Sequence, residues 1–521
     1  MPGQPGYGYP QPYRSPTIGG PPAVGGGFGA PTAPGPYGPP TGGWAAPPAP
    51  PAPRPPASRP RGPLIVIAVS AVLALLLAGG GAVWLLTGDD DQETAADQPS
   101  GPEGGEGGEG DGGGDGGLPA EPIQATLAWD LPSPRVTAEQ ILIDAKGAWF
   151  VDDAFVRVMP DALVSYDLAT GEENWSLPFE SSEGNCLTSP NVSENRVALL
   201  QGRDCEVLTV VDIATGQEVM SMPLDSEWPT SSTSYPAILG DVVAVGTGVG
   251  GMGYSVSGEE KLWESRANDR CREGEYMVVD DMFISKLTCG SLGDEGGSVR
   301  ATDEAGTELW EWEYEGTYEN EALSVDSVVS VDPLVVTATV GDDISAPGGS
   351  RVFVVDERHR EVAHDLDYDI DRYLNPCEVS TLHNCWPGVV HDGFLYLPTN
   401  VPYGDNAVAA FDLTTGQALY EVEAINGGQI WPFGTQDGKI LAYQPASDTL
   451  EGMVVAIDPE TEGVSPVMAL DRAARAQEFA LMSGYMVHNQ QPMWHDNTLV
   501  LVNRAFYDGD DARRPALLVY R

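Results

Sequence analysis

The chain has 521 residues, with 26 basic against 77 acidic side chains and a formal net charge of −51. That balance disfavours nucleic acid and anionic lipid headgroups as partners and suits basic proteins or cations. Its 45 Pro and 63 Gly are unevenly spread, so composition divides the chain before any motif is read.

Residues 1–63 are mostly Pro, Gly, Ala and Tyr, with four Arg and no acid. So few aliphatic side chains cannot bury enough surface to offset the ordering entropy, which predicts a disordered tail. Residues 64–87 (LIVIAVSAVLALLLAGGGAVWLLT) are 24 uncharged residues, long enough to cross a hydrocarbon core of about 30 Å as a helix. Arg54, Arg59 and Arg61 precede the span and Asp89, Asp90 and Asp91 follow it. The positive flank stays inside, which puts the tail in the cytoplasm and the C-terminal part outside a plasma membrane crossed once. The long tail and the missing small-residue cleavage site favour an uncleaved anchor. Residues 88–117 form a Gly-rich linker with ten acids and no base, an extended, self-repelling stalk. The tail's four Arg and the stalk's ten acids leave −45 on residues 118–521.

In that outer part a pattern recurs: an apolar alternation, an Asp, a Thr-Gly, then a second alternation. It is clear at YDLATGEENW (166–175), VDIATGQEVM (211–220) and FDLTTGQALY (411–420). Weaker copies follow Ser255, Thr302, Val355 and Ile457. An aromatic often follows the Gly by four or five residues: Trp175, Trp263, Trp310, Tyr420. Asp caps such a turn and Gly supplies the positive φ that closes it, so each copy is a strand–turn–strand unit. Upstream of each lies a second signature, an acidic or Asn/Gly turn leading into an alternating strand, at Val151, Ser193, Leu239, Val279, Val331, His391, Gln436 and His495.

The first signature therefore has seven copies and the second has eight. Two hairpins per 40–60 residues make the four-stranded blades of a propeller. After the eighth hairpin only ALLVY (516–520) remains, so the missing outer strand is expected from ATLAWDLP (125–132), whose Trp129 resembles the other outer-strand aromatics. The prediction is an all-β, eight-bladed propeller over 118–521, closed by an N-terminal outer strand so that no edge is left exposed. ALDRAARAQEFALM (469–482) is the stretch that reads as a short helix, and TGVGGMG (247–253) as a tight inter-strand loop.

All six cysteines, Cys186, Cys205, Cys271, Cys289, Cys377 and Cys385, lie in the outer part, as expected for disulfides in an exported domain. Cys186 and Cys205 flank the first two strands of the second blade, and Cys271 and Cys289 take the same two places in the fourth. That echo favours sequential bridges, leaving Cys377 and Cys385 to staple the connection into the sixth blade.

Together the repeats resemble the PQQ-like, quinoprotein-type propeller family. The family implies a propeller but leaves function open, because it holds dehydrogenases, sensor domains of membrane kinases, and non-catalytic assembly proteins such as the barrel-assembly lipoprotein BamB. Tail, span and stalk resemble membrane-anchored forms in high-GC Gram-positive bacteria. Dehydrogenases of this family stack the quinone between a Trp and a disulfide of adjacent cysteines, beside a Ca²⁺. Here no two cysteines are adjacent and no Cys-x-x-Cys-His haem site occurs. DYDIDRYLNPCE (367–378) spaces its acids like a calcium loop but puts Arg372 where the turn needs Gly. YDGDDARR (507–514) is a second acidic loop, and His383, Cys385 and His391 are close enough in sequence to be weighed as metal ligands.

The reading is thus a tethered extracytoplasmic propeller that binds proteins of the cell envelope, without catalytic residues or a required cofactor. The alternatives are an oxidoreductase using PQQ with Ca²⁺ or another cofactor, and a ligand sensor.

Overall fold

A computed structural model describes residues 117–521 apart from 137–141, 179–186, 203, 225–233, 248–249, 267–270, 291–294, 342–348, 357–360, 379–380, 403, 448, 483–486 and 508–513. The tail, the expected span, nearly all of the stalk, Cys186 and most of the second acidic loop lie outside the described residues. Among the described residues no helix is long and apolar enough to cross a membrane.

The strands form eight antiparallel blades, numbered in chain order as 148–178, 188–223, 237–266, 271–314, 317–365, 389–423, 431–469 and 490–520. Among the described residues the second blade has three strands, with Thr188 bridging Leu199 in the innermost place. The eighth takes its outer strand from Leu127–Pro132, which pairs antiparallel with Pro515–Tyr520. The ring therefore closes through the start of the domain, as the unequal hairpin count requires. Just before it, Ile123–Gln124 lies parallel to the outer strand of blade 7.

Turn chemistry explains why these residues make hairpins. In the outer turns the Asp side chain caps the next two amides, as when Asp167 Oδ1 accepts from Ala169 N at 3.1 Å and Thr170 N at 2.8 Å. The Thr170 hydroxyl and these amides hold the Asp167 carboxyl below the usual range. In the inner turns an acid occupies the left-handed region at Asp152 (φ 46°), Asp280 (49°), Asp392 (47°), Asp437 (51°) and Asp496 (42°). Asp, Asn and Gly tolerate that backbone best, which is why this signature is acidic.

Blades join through apolar seams. Eight clusters each span one pair of neighbouring blades, including blades 8 and 1, where Trp129, Phe155 and Tyr166 meet Val500, Leu517 and Val519. The outer-strand tryptophan of one blade lies on the turn glycine of the next: Trp129 on Gly171, Trp175 on Gly216 and Trp263 on Gly306. Trp129 and Trp263 also donate Nε1–H to Leu168 O and Glu304 O, each at 3.0 Å. Arg157, fully buried at the closing seam, reaches Ala516 O at 2.7 Å and Asn503 O at 3.0 Å in blade 8.

Two local expectations shift. Ala469 ends an outer strand, and the helical stretch is a 3-10 turn, Arg472–Ala474, followed by an α-helix, Arg475–Met482. Gly250–Ser255 is a strand of blade 3 rather than a loop. The rings of Tyr276 and Trp263 fill the space where β-carbons on Gly251 and Gly253 would project, so glycine here makes room for aromatics from the neighbouring strands.

Candidate functional site

The connection between blades 5 and 6 reaches the inner strands of several blades through residues 377–378 and 381–386. Lys146, just before the first strand of blade 1, donates to Glu378 Oε2 at 2.7 Å. Arg504, just after the second strand of blade 8, donates to Asn384 Oδ1 at 2.7 Å. Glu275, on the first strand of blade 4, accepts from Leu382 N at 2.7 Å and lies 2.7 Å from His383 Nδ1. Ser327, on the strand Glu321–Val331 of blade 5, donates to Thr381 O at 2.5 Å, and Val328 N donates to Leu382 O at 2.9 Å. Blades 1 and 5 face each other across an eight-membered ring, and so do blades 4 and 8. A segment that touches all four lies on the axis.

Sequence places these partners through short local devices. Leu142–Asp144 pairs with Ala505–Tyr507, so Asp144 and Arg504 are brought to the same corner. Asp144 then accepts from Lys146 N at 3.2 Å and lies 3.3 Å from Lys146 Nζ. Tyr235, before the first strand of blade 3, meets the His383 ring edge-on at 4.6 Å between centroids. Trp386 donates to Val487 O at 3.0 Å and Gln490 O at 2.5 Å, and packs edge-on against Trp431. Cys377 and Cys385 are disulfide-bonded, their Cα atoms 3.7 Å apart.

Burial dominates the electrostatics here. It raises the Asp144 carboxyl, against the pull of Lys146 and Arg504. Burial alone would raise Glu378 too, but Lys146, Asn384 and Arg504 outweigh it and hold that carboxyl low. Burial pushes His488, beside the segment, down to about 4, and lowers the Arg504 guanidinium. The axis is therefore a corner of opposed charges paired within the chain.

Among the described residues, the ligand sets weighed from the sequence are not assembled. In 367–378, Asp369 Oδ1 accepts from Asp371 N at 3.0 Å, and Arg372 pairs with Glu421 at 2.6 Å, so these residues shape a turn. His383 faces Glu275, Cys385 is bonded to Cys377, and His391 lies 3.4 Å from Asp392 on a blade-6 turn. Among the described residues no group of three or more His, Cys, Asp or Glu is placed to hold a metal ion. Nor do the axial residues fit a stacked quinone: the disulfide here joins cysteines eight apart, and Trp386 is hydrogen-bonded and edge-on to another ring. Cys271–Cys289 links the first two strands of blade 4; Cys205 is also disulfide-bonded, to a partner outside the described residues.

Lys146, Tyr235, Glu275, Asn384 and Arg504 carry no sequence signal as a group. They come from separate connections and strands, and only the local run HNCWP (383–387) marks the place where they converge.

Comparison with known proteins agrees with the repeat type. Residues 129–283, from the closing strand into blade 4, match the PQQ_2 family, described as outer membrane protein assembly factor BamB. No curated protein matches the chain. BamB from Moraxella catarrhalis superposes with a TM-score of 0.41 at 13% identity, covering 75% of this chain and 99% of that one. The quinohemoprotein alcohol dehydrogenase ADHIIG from Pseudomonas putida HK5 gives 0.44 at 13%, covering 77% and 76%. A europium-containing methanol dehydrogenase gives 0.41 at 13%, covering 72% and 84%.

Proposed function

Because the chain carries a PQQ-like β-propeller, we propose that it is a membrane-tethered, extracytoplasmic scaffold that binds protein partners of the cell envelope through the surface of its ring. Residues 64–87 are the single span, 1–63 the cytoplasmic tail and 88–117 the stalk. The observation that carries the reading is the occupied axis. The chain's own connection crosses it and pairs Glu378, Asn384 and His383 with blades 1, 8 and 4. Binding is then left to the outer surface, whose net charge favours basic partners.

The test is capture of cross-linked proteins by the full chain in envelope membranes, beside a version ending at residue 117. Partners enriched only by the full chain are expected. Equal recovery by both, or reduction of an electron-accepting dye once PQQ and Ca²⁺ are added, overturns the reading. Protease added to cells stripped of their wall should digest 118–521 and spare 1–63; the opposite pattern reverses the orientation.

A further inference from the structure

Lys146 and Arg504 share their partners in a way that charge pairing alone would not choose. Lys146 Nζ takes both nearby carboxylates, Glu378 Oε2 at 2.7 Å and Asp144 Oδ2 at 3.3 Å. The Arg504 guanidinium, whose fork matches a carboxylate better, instead donates to a neutral amide oxygen, Asn384 Oδ1, at 2.7 Å. Its Nε has no hydrogen-bond partner among the described residues. At the other end of the same amide, Asn384 Nδ2 donates at 2.7 Å to Glu378 Oε2, the oxygen that also holds Lys146. A guanidinium only donates and an ionised carboxylate only accepts, so these two partners fix which way the amide faces. Sharing one oxygen, Lys146 Nζ and Asn384 Nδ2 are no more than twice 2.7 Å apart. The backbone holds them there: Glu378 N donates to Asn384 O and Ala145 N to Arg504 O, each at 2.8 Å. Asn384 is 4% exposed and Arg504 6%, so little water competes for the amide carbon. An amine, a carboxamide, a carboxylate touching both and a cation on the carbonyl oxygen are the parts of an acyl transfer.

We propose that Lys146 and Asn384 react to form an isopeptide bond, with Glu378 carrying the proton and Arg504 stabilising the oxyanion, so that the chain cross-links itself across its ring. Holding amine and amide on one carboxylate makes the attack intramolecular. Asp144, whose carboxyl burial raises, accepts a proton from the Lys146 ammonium and leaves a free amine. Nζ then bonds to Asn384 Cγ, and the carbonyl pair moves onto Oδ1 under the Arg504 guanidinium. Glu378 Oε2 takes a proton from the attacking nitrogen and passes it to Nδ2, which it already touches. The Cγ–Nδ2 bond breaks and ammonia leaves with the proton that Asp144 held. Glu378, with its side chain 22% exposed, borders the way out. One C–N bond forms, one breaks, nothing is oxidised, and ammonium is the by-product. The bond joins the approach to blade 1 to the connection between blades 5 and 6. It forms whether or not the ring binds envelope proteins.

Peptide mapping of the full chain tests it, on protein taken from membranes, denatured, reduced, alkylated and digested with trypsin. Once the disulfides are reduced, a branched peptide joining residues 146 and 384 should remain, uncut after Lys146 and lighter than its two parts by one ammonia. Lys146 and Asn384 in separate, unaltered peptides overturn the proposal and make the four side chains a charge network of the fold. Asn384 recovered as an aspartate beside a free Lys146 overturns it too, because water has then reached the amide before the amine. A Glu378→Gln chain should yield at least tenfold less of the branched peptide while Cys271–Cys289 and Cys377–Cys385 still form. Cross-linking as complete as the parent's would refute the proton route through Glu378. Where that substitution impairs folding, the parent's own digest still decides.

Discussion

Glu478 shows how one side chain couples the ring to pH. It lies on the helix Arg475–Met482, 1% exposed, with Oε1 accepting from Tyr443 Oη at 2.6 Å and Ala446 N at 2.9 Å. Its Oε2 has no hydrogen-bond partner among the described residues. Burial pushes the carboxyl up to about 7 from 4.5, only partly offset by those two donors. A carboxyl with a raised folded-state value binds its proton more tightly folded than unfolded. Its contribution therefore favours the folded state at low pH and is lost as pH rises from about 4.5 through 7. Glu478→Gln keeps an oxygen for both donors and removes the titration. Relative to the parent, the variant should gain about 1–3 kcal/mol between pH 4.5 and 8. Urea midpoints at several pH values, with unchanged slopes, are the measurement, and parallel pH curves for the two proteins would sink the assignment.

At the scale of the element, the hairpin turn does two jobs, and two glycines separate them. Gly171 has φ +73° and a β-carbon there would sit 2.5 Å from the Trp129 ring, whereas Gly393 has φ +77° and open space around it. Alanine at 393 meets only the left-handed backbone, a cost of about 1–2 kcal/mol. Alanine at 171 adds displacement of a tryptophan that bridges blades 8 and 1, for a total of about 3–5 kcal/mol. Thermal unfolding of the two variants compares them directly; equal losses would mean that Trp129 does not depend on the turn. This double use also explains what the sequence made legible. Asp caps, left-handed acids and the glycine beneath an aromatic are local, so both hairpin signatures appear in the residues themselves. The strand Gly250–Ser255 was not legible as a strand because its glycines answer to Tyr276 and Trp263, which lie farther along the chain.

At the scale of the molecule, legibility runs out where contacts join distant blades. The eight-against-seven hairpin count pointed to closure by the start of the domain, because a blade's strand number is a matter of counting. The axial segment could not be read the same way. Lys146 and Glu378 are 232 residues apart, Arg504 and Asn384 are 120 apart, and neither pair has a pattern of its own. Closure itself is the property that can be tested as a whole. Leu127–Pro132 covers the edge of Pro515–Tyr520, Trp129 packs at the seam with blade 1, and Ala125 N donates to Ala469 O in blade 7 at 2.9 Å. One short segment therefore ties together blades 7, 8 and 1. Removing 125–132 bares a strand edge whose own residues, Ala516 to Tyr520, are fully buried in the closed ring. It also deletes Trp129, which alone accounts for about 3–5 kcal/mol. The shortened chain should lose more than that, melting well below the parent or eluting as aggregates through its open edge. A deletion protein that stays monodisperse and melts with the parent would show that the ring does not need this strand to close.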